Sequence, residues 1–140
     1  MAVIALDIGG TKIKGALLDA KFRVLKSLRV PTLPQHSKEQ ILHSIELVVA
    51  ALKDNARHKV SAIGVSIPGI VDRDGMIVFG GVSLAKLHGT NIAARLKRKF
   101  RLPVVAHNDA ECFALAEAFL SIGKQAHSVL GIIWGSGVGA

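Results

Sequence analysis

The first thirty residues alternate apolar segments with short polar turns, a pattern that predicts strands. A mostly apolar run over residues 2–8, interrupted only by Asp7, predicts a buried strand, and Gly9-Gly10 predicts a tight turn after it. Residues 13–18 then predict a returning strand and residues 24–30 a third, with Asp19-Ala20-Lys21 as the turn between them. These three strands should form an antiparallel meander, which Pro31 and Pro34 close with a loop.

Apolar positions then change to helical spacing. Ser37 should open the helix, with Gln40 three residues later completing a capping box, and the polar residues 53–59 should end it. One face of this helix collects the apolar side chains, which are Ile41, Ile45, Val48, Val49 and Leu52.

The remaining pattern alternates strands with helices. It predicts strands at 60–66, 76–79, 104–107 and 128–134, and helices from Thr90 or Asn91 to near Phe100 and from about Asp109 to Leu120. The order βββ-α-β-α-β-α is that of a ribonuclease-H-like α/β domain, whose helix-connected strands add in parallel by right-handed crossovers. We expect residues 1–121 to form one lobe, and residues 122–140 to form a linker, first strand and phosphate turn of a truncated second lobe.

A strand followed by a glycine-rich turn occurs at both ends of the chain. The first turn is Gly9-Gly10-Thr11-Lys12, and the second, residues 135–139, is made of Gly135, Ser136, Gly137, Val138 and Gly139. Glycines let backbone N–H groups approach a phosphate, while hydroxyl and lysine side chains add donors and charge. Asp7, at the end of the first strand, can hold Mg²⁺ through water. The alternative for the first turn is a plain hairpin with an acidic residue at its edge.

A second candidate site lies where a predicted parallel strand meets the last helix. Ligands of open α/β sheets bind outside such strand ends. Asp109 can accept a proton from a substrate hydroxyl that attacks phosphorus, and Asn108 can bind sugar hydroxyls through its amide. The competing explanation is that one of the two only caps the helix. The turn at residues 66–69 should lie at the same edge, where Ser66 and Gly69 can offer backbone groups to a ligand.

Composition limits the class of protein. The chain has 140 residues, of which 50% are hydrophobic, and this suffices for one domain with a core. A single cysteine, Cys112, excludes an internal disulfide, and no Cys/His cluster has the spacing of a zinc site. No basic leader precedes the first strand, and no apolar run reaches the ~18 residues of a membrane span. We therefore expect a cytoplasmic protein without a membrane segment.

The net charge of +8 raises the question of nucleic-acid binding, because much of it lies in residues 95–101. Ile92, Leu96 and Phe100 recur every four residues there, which is typical of an amphipathic helix with a solvated basic face. No aromatic residues interleave with these charges, as single-strand binders require. A basic nucleic-acid-binding domain is therefore the less favoured hypothesis.

Taken together, the chain resembles the N-terminal half of ROK-family sugar kinases. The matching segments, in the family's order, are residues 7–12, 64–69, 108–117 and 135–139. The resemblance covers nearly the whole chain and implies the actin/hexokinase/Hsp70 superfamily fold. It also implies transfer of phosphate from ATP to the 6-hydroxyl of a hexose or an N-acetylated amino sugar.

By this resemblance Asp109 is the general base, and Asn108, Gly69 and Ser66 bind sugar. ATP and Mg²⁺ are then held by the two turns and Asp7, with Asp7 on the metal side. The nucleotide-binding residues implied are Asp7, Gly9, Gly10, Thr11, Lys12, Gly135, Ser136, Gly137, Val138 and Gly139.

The chain departs from the family at three places. Gly81 stands where a sugar-contacting Asn is usual, Glu111 where a second Asn is common, and Ser136 where Thr is frequent. The second lobe is absent, so we expect this chain alone to be inactive and its exposed lobe face to favour self-association as a homodimer. A non-catalytic, sugar-responsive regulator of the same family is the alternative function.

Overall fold

The fold was analysed in a computed structural model that describes residues 1–32, 35–54, 56–57, 59–82, 84–120, 126–134 and 138–139. The helices are α1 (Lys38–Asp54), α2 (Ile92–Phe100) and α3 (Asp109–Leu120). The strands are β1 (Ala2–Ile8), β2 (Lys12–Asp19), β3 (Val24–Pro31), β4 (Val60–Ile67), β5 (Ile70–Val71), β6 (Met76–Phe79), β7 (Thr90–Asn91), β8 (Val104–Asn108), β9 (Ile133–Trp134) and β10 (Val138–Gly139).

Five strands form the central sheet, in the order β3-β2-β1-β4-β8. The first three are antiparallel neighbours, whereas β4 runs parallel to β1 and β8 runs parallel to β4. This is the mixed sheet predicted from the sequence, with a meander extended by parallel strands.

Helix α1 begins at the predicted capping box. The Ser37 amide donates to the Gln40 side-chain oxygen at 2.8 Å, and the Gln40 amide donates to Ser37 Oγ at 3.3 Å. The apolar face of α1 packs so closely on β2 that a Cβ on Gly15 would lie 2.5 Å from a Val48 methyl carbon. A small residue at position 15 therefore allows the helix to approach the sheet.

Helix α2 is the predicted amphipathic helix, capped by Asn91, whose side chain accepts from the Ala94 amide at 2.7 Å. Its apolar residues Ile92 and Leu96 are fully buried. Its basic face is not simply solvated, because Arg95 and Lys99 both bind the buried Glu46 of α1. Part of the positive charge is therefore used to join two helices.

Pleating gives the sheet two different faces. The inner face, defined as the one packed against α1 and α2, carries the buried core side chains, which include Ile4, Leu6, Ile8, Ile13, Leu17, Ile63, Val65 and Ile67. On the outer face the intervening positions are half-buried or exposed, and α3 contacts β4 and β8.

Three sequence-based expectations about elements need comment. The two-residue strands β5 and β7, which flank β6 in a separate three-stranded sheet, were not predicted because they are too short to show alternation. The predicted strand 128–134 is wrong over 128–132, since only Ile133–Trp134 pairs with another strand. The proposed division at residue 121 stays a prediction. In the part of the chain that is described, no helix is both long and apolar enough to cross a membrane.

Candidate functional site

Three of the predicted site segments meet at one edge of the central sheet. Strands β1, β4 and β8 are parallel, so their carboxyl ends lie on the same side. The turn at residues 9–12 follows β1, the turn at 66–69 includes the end of β4, and Asn108 with Asp109 follows at the end of β8. This is the edge at which open α/β sheets bind ligands.

A row of polar residues crosses the outer face next to this edge, one on each strand. The register pairs Asp7 with Lys14 on one side and with Ser66 on the other. The row, from β3 to β8, consists of Arg29, Lys14, Asp7, Ser66 and His107. A cavity of about 640 Å³ lies against the part formed by Arg29, Lys14, Asp7 and Ser66.

Asp7 forms an ion pair with Lys14 at 3.0 Å, and both side chains are about half exposed. One carboxylate oxygen is thus engaged by the lysine, while the group remains open to solvent. Magnesium is commonly held by one or two carboxylates together with waters and substrate phosphates. A single accessible carboxylate beside a turn with open amides fits that kind of site.

The first turn presents backbone donors. The Gly9 amide donates to the Lys12 carbonyl at 2.9 Å. The amides of Gly10 and Thr11 have no acceptor within the described ranges. Unpaired backbone N–H groups of a glycine turn can donate hydrogen bonds to the oxygens of a phosphate.

Asn108, rather than Asp109, is the main cap of α3. Its Oδ1 accepts from the amides of Ala110 at 2.8 Å and Glu111 at 3.2 Å, and its Nδ2 donates to the Gly69 carbonyl at 2.6 Å. Asp109 Oδ1 shares the Ala110 amide at 3.0 Å, and Asp109 Oδ2 has no partner among the described residues. Asn108 therefore provides most of the helix cap, and one carboxylate oxygen of Asp109 stays without a partner among the described residues.

Gly69 is required by its backbone geometry. Its φ is +104°, and a Cβ there would lie 1.9 Å from the Phe79 carbonyl oxygen. Since the Gly69 carbonyl accepts from Asn108, this turn is tied to the start of α3. Gly81 also has a positive φ, +61°, but a Cβ there would meet nothing within 4 Å.

Cys112, on α3, lies close to Ser66 and the acidic residues of this site. Burial and the negative charges of Glu111, Asp109 and Asp7 raise the pKa of its thiol, while a hydrogen bond with Ser66 opposes them. The thiol therefore joins α3 to the polar row and stays protonated near neutral pH.

Only part of the second glycine-rich turn lies among the described residues. Gly135, Ser136 and Gly137 lie outside the described residues, whereas Val138 and Gly139 form β10, antiparallel to β9. The sequence pattern placed Val138 and Gly139 in the turn, whereas the structure places both in the strand that follows it. No group of three or more His, Cys, Asp or Glu residues that could hold a metal ion was found within those described ranges.

Sequence reasoning missed two residues of the site. Lys14 could have been found by counting across the hairpin, because a turn at residues 9–12 places it opposite Asp7. Thr32 could not, because its hydroxyl donates to the Gly9 carbonyl across 23 positions of the chain.

Comparison with known proteins connects this geometry with a family. Residues 3–140 match the ROK family. The chain is 38% identical over 138 residues to an N-acetyl-D-glucosamine kinase of Haemophilus influenzae, covering 96% of this chain and 43% of the relative.

Solved structures agree with this family match, and they show that the fold is that of the actin/hexokinase/Hsp70 superfamily. A ROK family glucokinase from Streptomyces griseus, in complex with glucose and AMPPNP, superposes with a TM-score of 0.80 at 30% identity, covering 99% of this chain and 43% of that one. An inorganic polyphosphate/ATP-glucomannokinase from Arthrobacter gives 0.82 at 33% identity, covering 99% and 56%. The chain therefore spans about half the length of these relatives or less.

Proposed function

This chain belongs to the ROK family, and we propose on that basis that it is the N-terminal part of a sugar kinase. The reaction would be transfer of phosphate from ATP to the 6-hydroxyl of a hexose or an N-acetylated amino sugar, in the cytoplasm. Relatives of similar sequence include a kinase of N-acetyl-D-glucosamine and a glucokinase crystallised with glucose and AMPPNP.

The observation that carries the proposal is that Asn108, and not Asp109, forms most of the cap of α3. Asn108 caps the helix, so that Asp109 keeps one carboxylate oxygen without a partner among the described residues. A carboxylate in this position can accept the proton of a sugar hydroxyl as its oxygen attacks phosphorus. We assign Asp109 this role of general base.

The sugar side of the site would be formed by Asn108, Ser66 and the turn at Gly69. One hydrogen of Asn108 Nδ2 remains available after its bond to Gly69, and it can donate to a sugar hydroxyl. The rigid link between Gly69 and Asn108 would hold the sugar-binding turn at a constant position relative to Asp109.

The nucleotide side would be formed by the two glycine-rich turns. The Gly10 and Thr11 amides, with Thr11 Oγ1 and the Lys12 ammonium, offer donors to the phosphates. Residues 135–139 would bind them from the opposite side of the cleft, and Asp7 would bind Mg²⁺ through water. Bound Mg²⁺ supplies the positive charge that neutralises the transferred phosphoryl group.

A chimera tests this function, because the chain spans less than half of the Haemophilus influenzae kinase. Residues 1–140 are joined to the part of the Haemophilus influenzae kinase that follows the matched region. Sugar phosphate formation from ATP is measured with glucose, mannose, N-acetylglucosamine and N-acetylmannosamine. We expect turnover by the chimera and none by the 140-residue chain alone.

Asp109→Asn should lower kcat of the chimera by at least about 100-fold, the usual contribution of a general base. Glu111→Gln is the matched control, since it removes a carboxylate from the same helix turn, and it should change kcat less than about threefold. Equal turnover by the Asp109→Asn chimera and its parent would contradict the assignment. Sugar and nucleotide binding without turnover would favour the regulatory alternative.

A further inference from the structure

Thr32 is a buried polar residue next to the first phosphate turn. It is 4% exposed and directly follows β3, whose last residue, Pro31, pairs with Lys12. Burying a hydroxyl without a hydrogen-bond partner is unfavourable, because the group loses its hydrogen bonds to water. Its partners therefore indicate what the residue does.

Both polar groups of Thr32 that can donate are used on the turn. Its Oγ1 donates to the Gly9 carbonyl at 2.8 Å, and its amide donates to the Thr11 carbonyl at 2.9 Å. One residue thus binds two carbonyls of a four-residue turn. Together with the bond from the Gly9 amide to the Lys12 carbonyl, these contacts leave the turn little freedom to reorient its peptides.

Because the peptide bond is planar, the contact of Thr32 with the Gly9 carbonyl also sets the direction of the Gly10 N–H group. In a trans peptide the C=O of one residue and the N–H of the next point in opposite directions. The chain contains no cis peptide bond among its described residues. Because the Gly9 carbonyl points at the Thr32 hydroxyl, the Gly10 N–H points away from it and toward no acceptor in the described part of the chain.

We propose that Thr32 is a positioning residue for the nucleotide site, which holds the Gly9–Gly10 peptide so that the Gly10 amide faces a phosphate. The inference rests on the proposed function, because it takes residues 9–12 as the phosphate turn. Without the hydroxyl, the Gly9–Gly10 peptide could flip. The Gly9 carbonyl oxygen would then face the phosphate, and the partial negative charge of this oxygen would repel the ligand. Thr32 itself touches no ligand in this arrangement.

The test uses ¹⁵N-labelled 140-residue protein titrated with Mg-ATP and, separately, with inorganic pyrophosphate. The Gly10 and Thr11 amide resonances report binding at the turn. Thr32→Val keeps the shape of the side chain and removes the hydroxyl. It should lower the affinity for both ligands by about tenfold, as expected for the loss of one orienting hydrogen bond. Thr32→Ser keeps the hydroxyl and should bind within about twofold of the native chain.

Thr90→Val is the matched control. Thr90 is also buried, at 7% exposure, but its Oγ1 has no hydrogen-bond partner among the described residues. This variant also removes a buried hydroxyl, but at a position outside the turn. It should leave the affinity for both ligands unchanged. If Thr32→Val does not fold, Thr32→Cys, whose thiol is only a weak donor, replaces it and should also weaken binding.

The outcomes separate the two proposals. If Gly10 and Thr11 shift in the native chain but Thr32→Val binds equally well, the positioning role is wrong and the phosphate turn stands. If neither ligand shifts these amides in the native chain, the phosphate turn is wrong and the role of Thr32 falls with it. A uniform loss of affinity in Thr32→Val, Thr32→Ser and Thr90→Val would indicate a structural effect and overturn the inference.

Discussion

The two faces of the central sheet are built from the same strands but from different kinds of residue. On the inner face, Ile4 and Ile63 are fully buried beneath the helices. On the outer face, the neighbouring positions carry Asp7 and Ser66, and the edge strand leaves Val105 61% exposed. Alternation along each strand thus places the core side chains on one face and the polar residues of the candidate site on the other.

This separation explains why the site residues can remain polar and accessible without weakening the core. A side chain on the outer face has few apolar neighbours to lose when it is changed. Replacements should therefore affect stability strongly on the inner face and weakly on the outer face. The following four predictions compare buried positions with exposed ones in the sheet and in the helices that cover it, beginning with the largest expected effect.

Ile4→Ala should have the largest effect. Removing a fully buried side chain from the middle of β1 should cost about 2–5 kcal/mol of unfolding free energy, from lost burial and the cavity left behind. Val105→Ala, the outer-face control, should cost less than about 0.5 kcal/mol. Urea unfolding of both variants measures the difference, and similar losses would mean that the outer face is also packed.

A pair of glycines compares the faces at a single added methyl group. Gly15→Ala should cost about 1–3 kcal/mol, because its Cβ would overlap Val48 and Leu52 of α1. Gly64→Ala faces open space and should be neutral or stabilising by about 0.5–1 kcal/mol, since alanine has less backbone freedom to lose. Thermal unfolding that ranks the two variants in the reverse order would reject the assignment of faces.

Glu46 tests how the covering helices are joined. Burial alone would raise its pKa, but hydrogen bonds from Lys99 and Arg95 outweigh burial and hold the pKa below its ordinary value of 4.5. Its stabilisation is therefore present above the unfolded pKa and is lost as pH falls through the folded pKa. Glu46→Gln should cost about 1–2 kcal/mol at pH 7.

The cost of Glu46→Gln should shrink as the pH is lowered below 4.5, which unfolding curves at several pH values can follow. The exposed Glu39 also pairs with Arg95, and Glu39→Gln should cost less than about 0.5 kcal/mol. A Glu46→Gln penalty that does not change between pH 7 and pH 3 would show that the ion pairs do not stabilise the helix contact.

Lys14→Met should have the smallest effect on stability. The Asp7–Lys14 pair is half exposed, so its loss should change the unfolding free energy by less than about 0.5 kcal/mol. Unfolding at low and high salt measures this, and the small difference should narrow further with salt. A loss above 2 kcal/mol would mean that this outer-face pair is part of the core structure.

Local patterns predicted most of the elements. The capping box at Ser37, the cap at Asn91 and the bounds of α3 depend on residues three or four positions apart, which a linear pattern displays. The strand predicted at 128–132 failed because a strand needs a partner, and an apolar run alone does not provide one.

The candidate site was predicted in part for the same reason. Asp7, Asn108 and the glycine turns are recognisable from the residue types at strand ends, and the family match covers these segments. Which of Asn108 and Asp109 caps α3 was not predictable, since both residue types are common helix caps and only the contacts of Asn108 with Gly69, Ala110 and Glu111 identify it as the main cap.

The sequence by itself determined the helices with their caps, the strands of the meander and the first glycine-rich turn, because the patterns that mark them lie within short segments of the chain. The tertiary structure alone decided which residues stand beside each other across strands. It placed one polar residue from each strand in a row and brought Thr32 to the Gly9 carbonyl. Register and long-range contact are set by burying one face of the assembled sheet, and no segment carries that information alone.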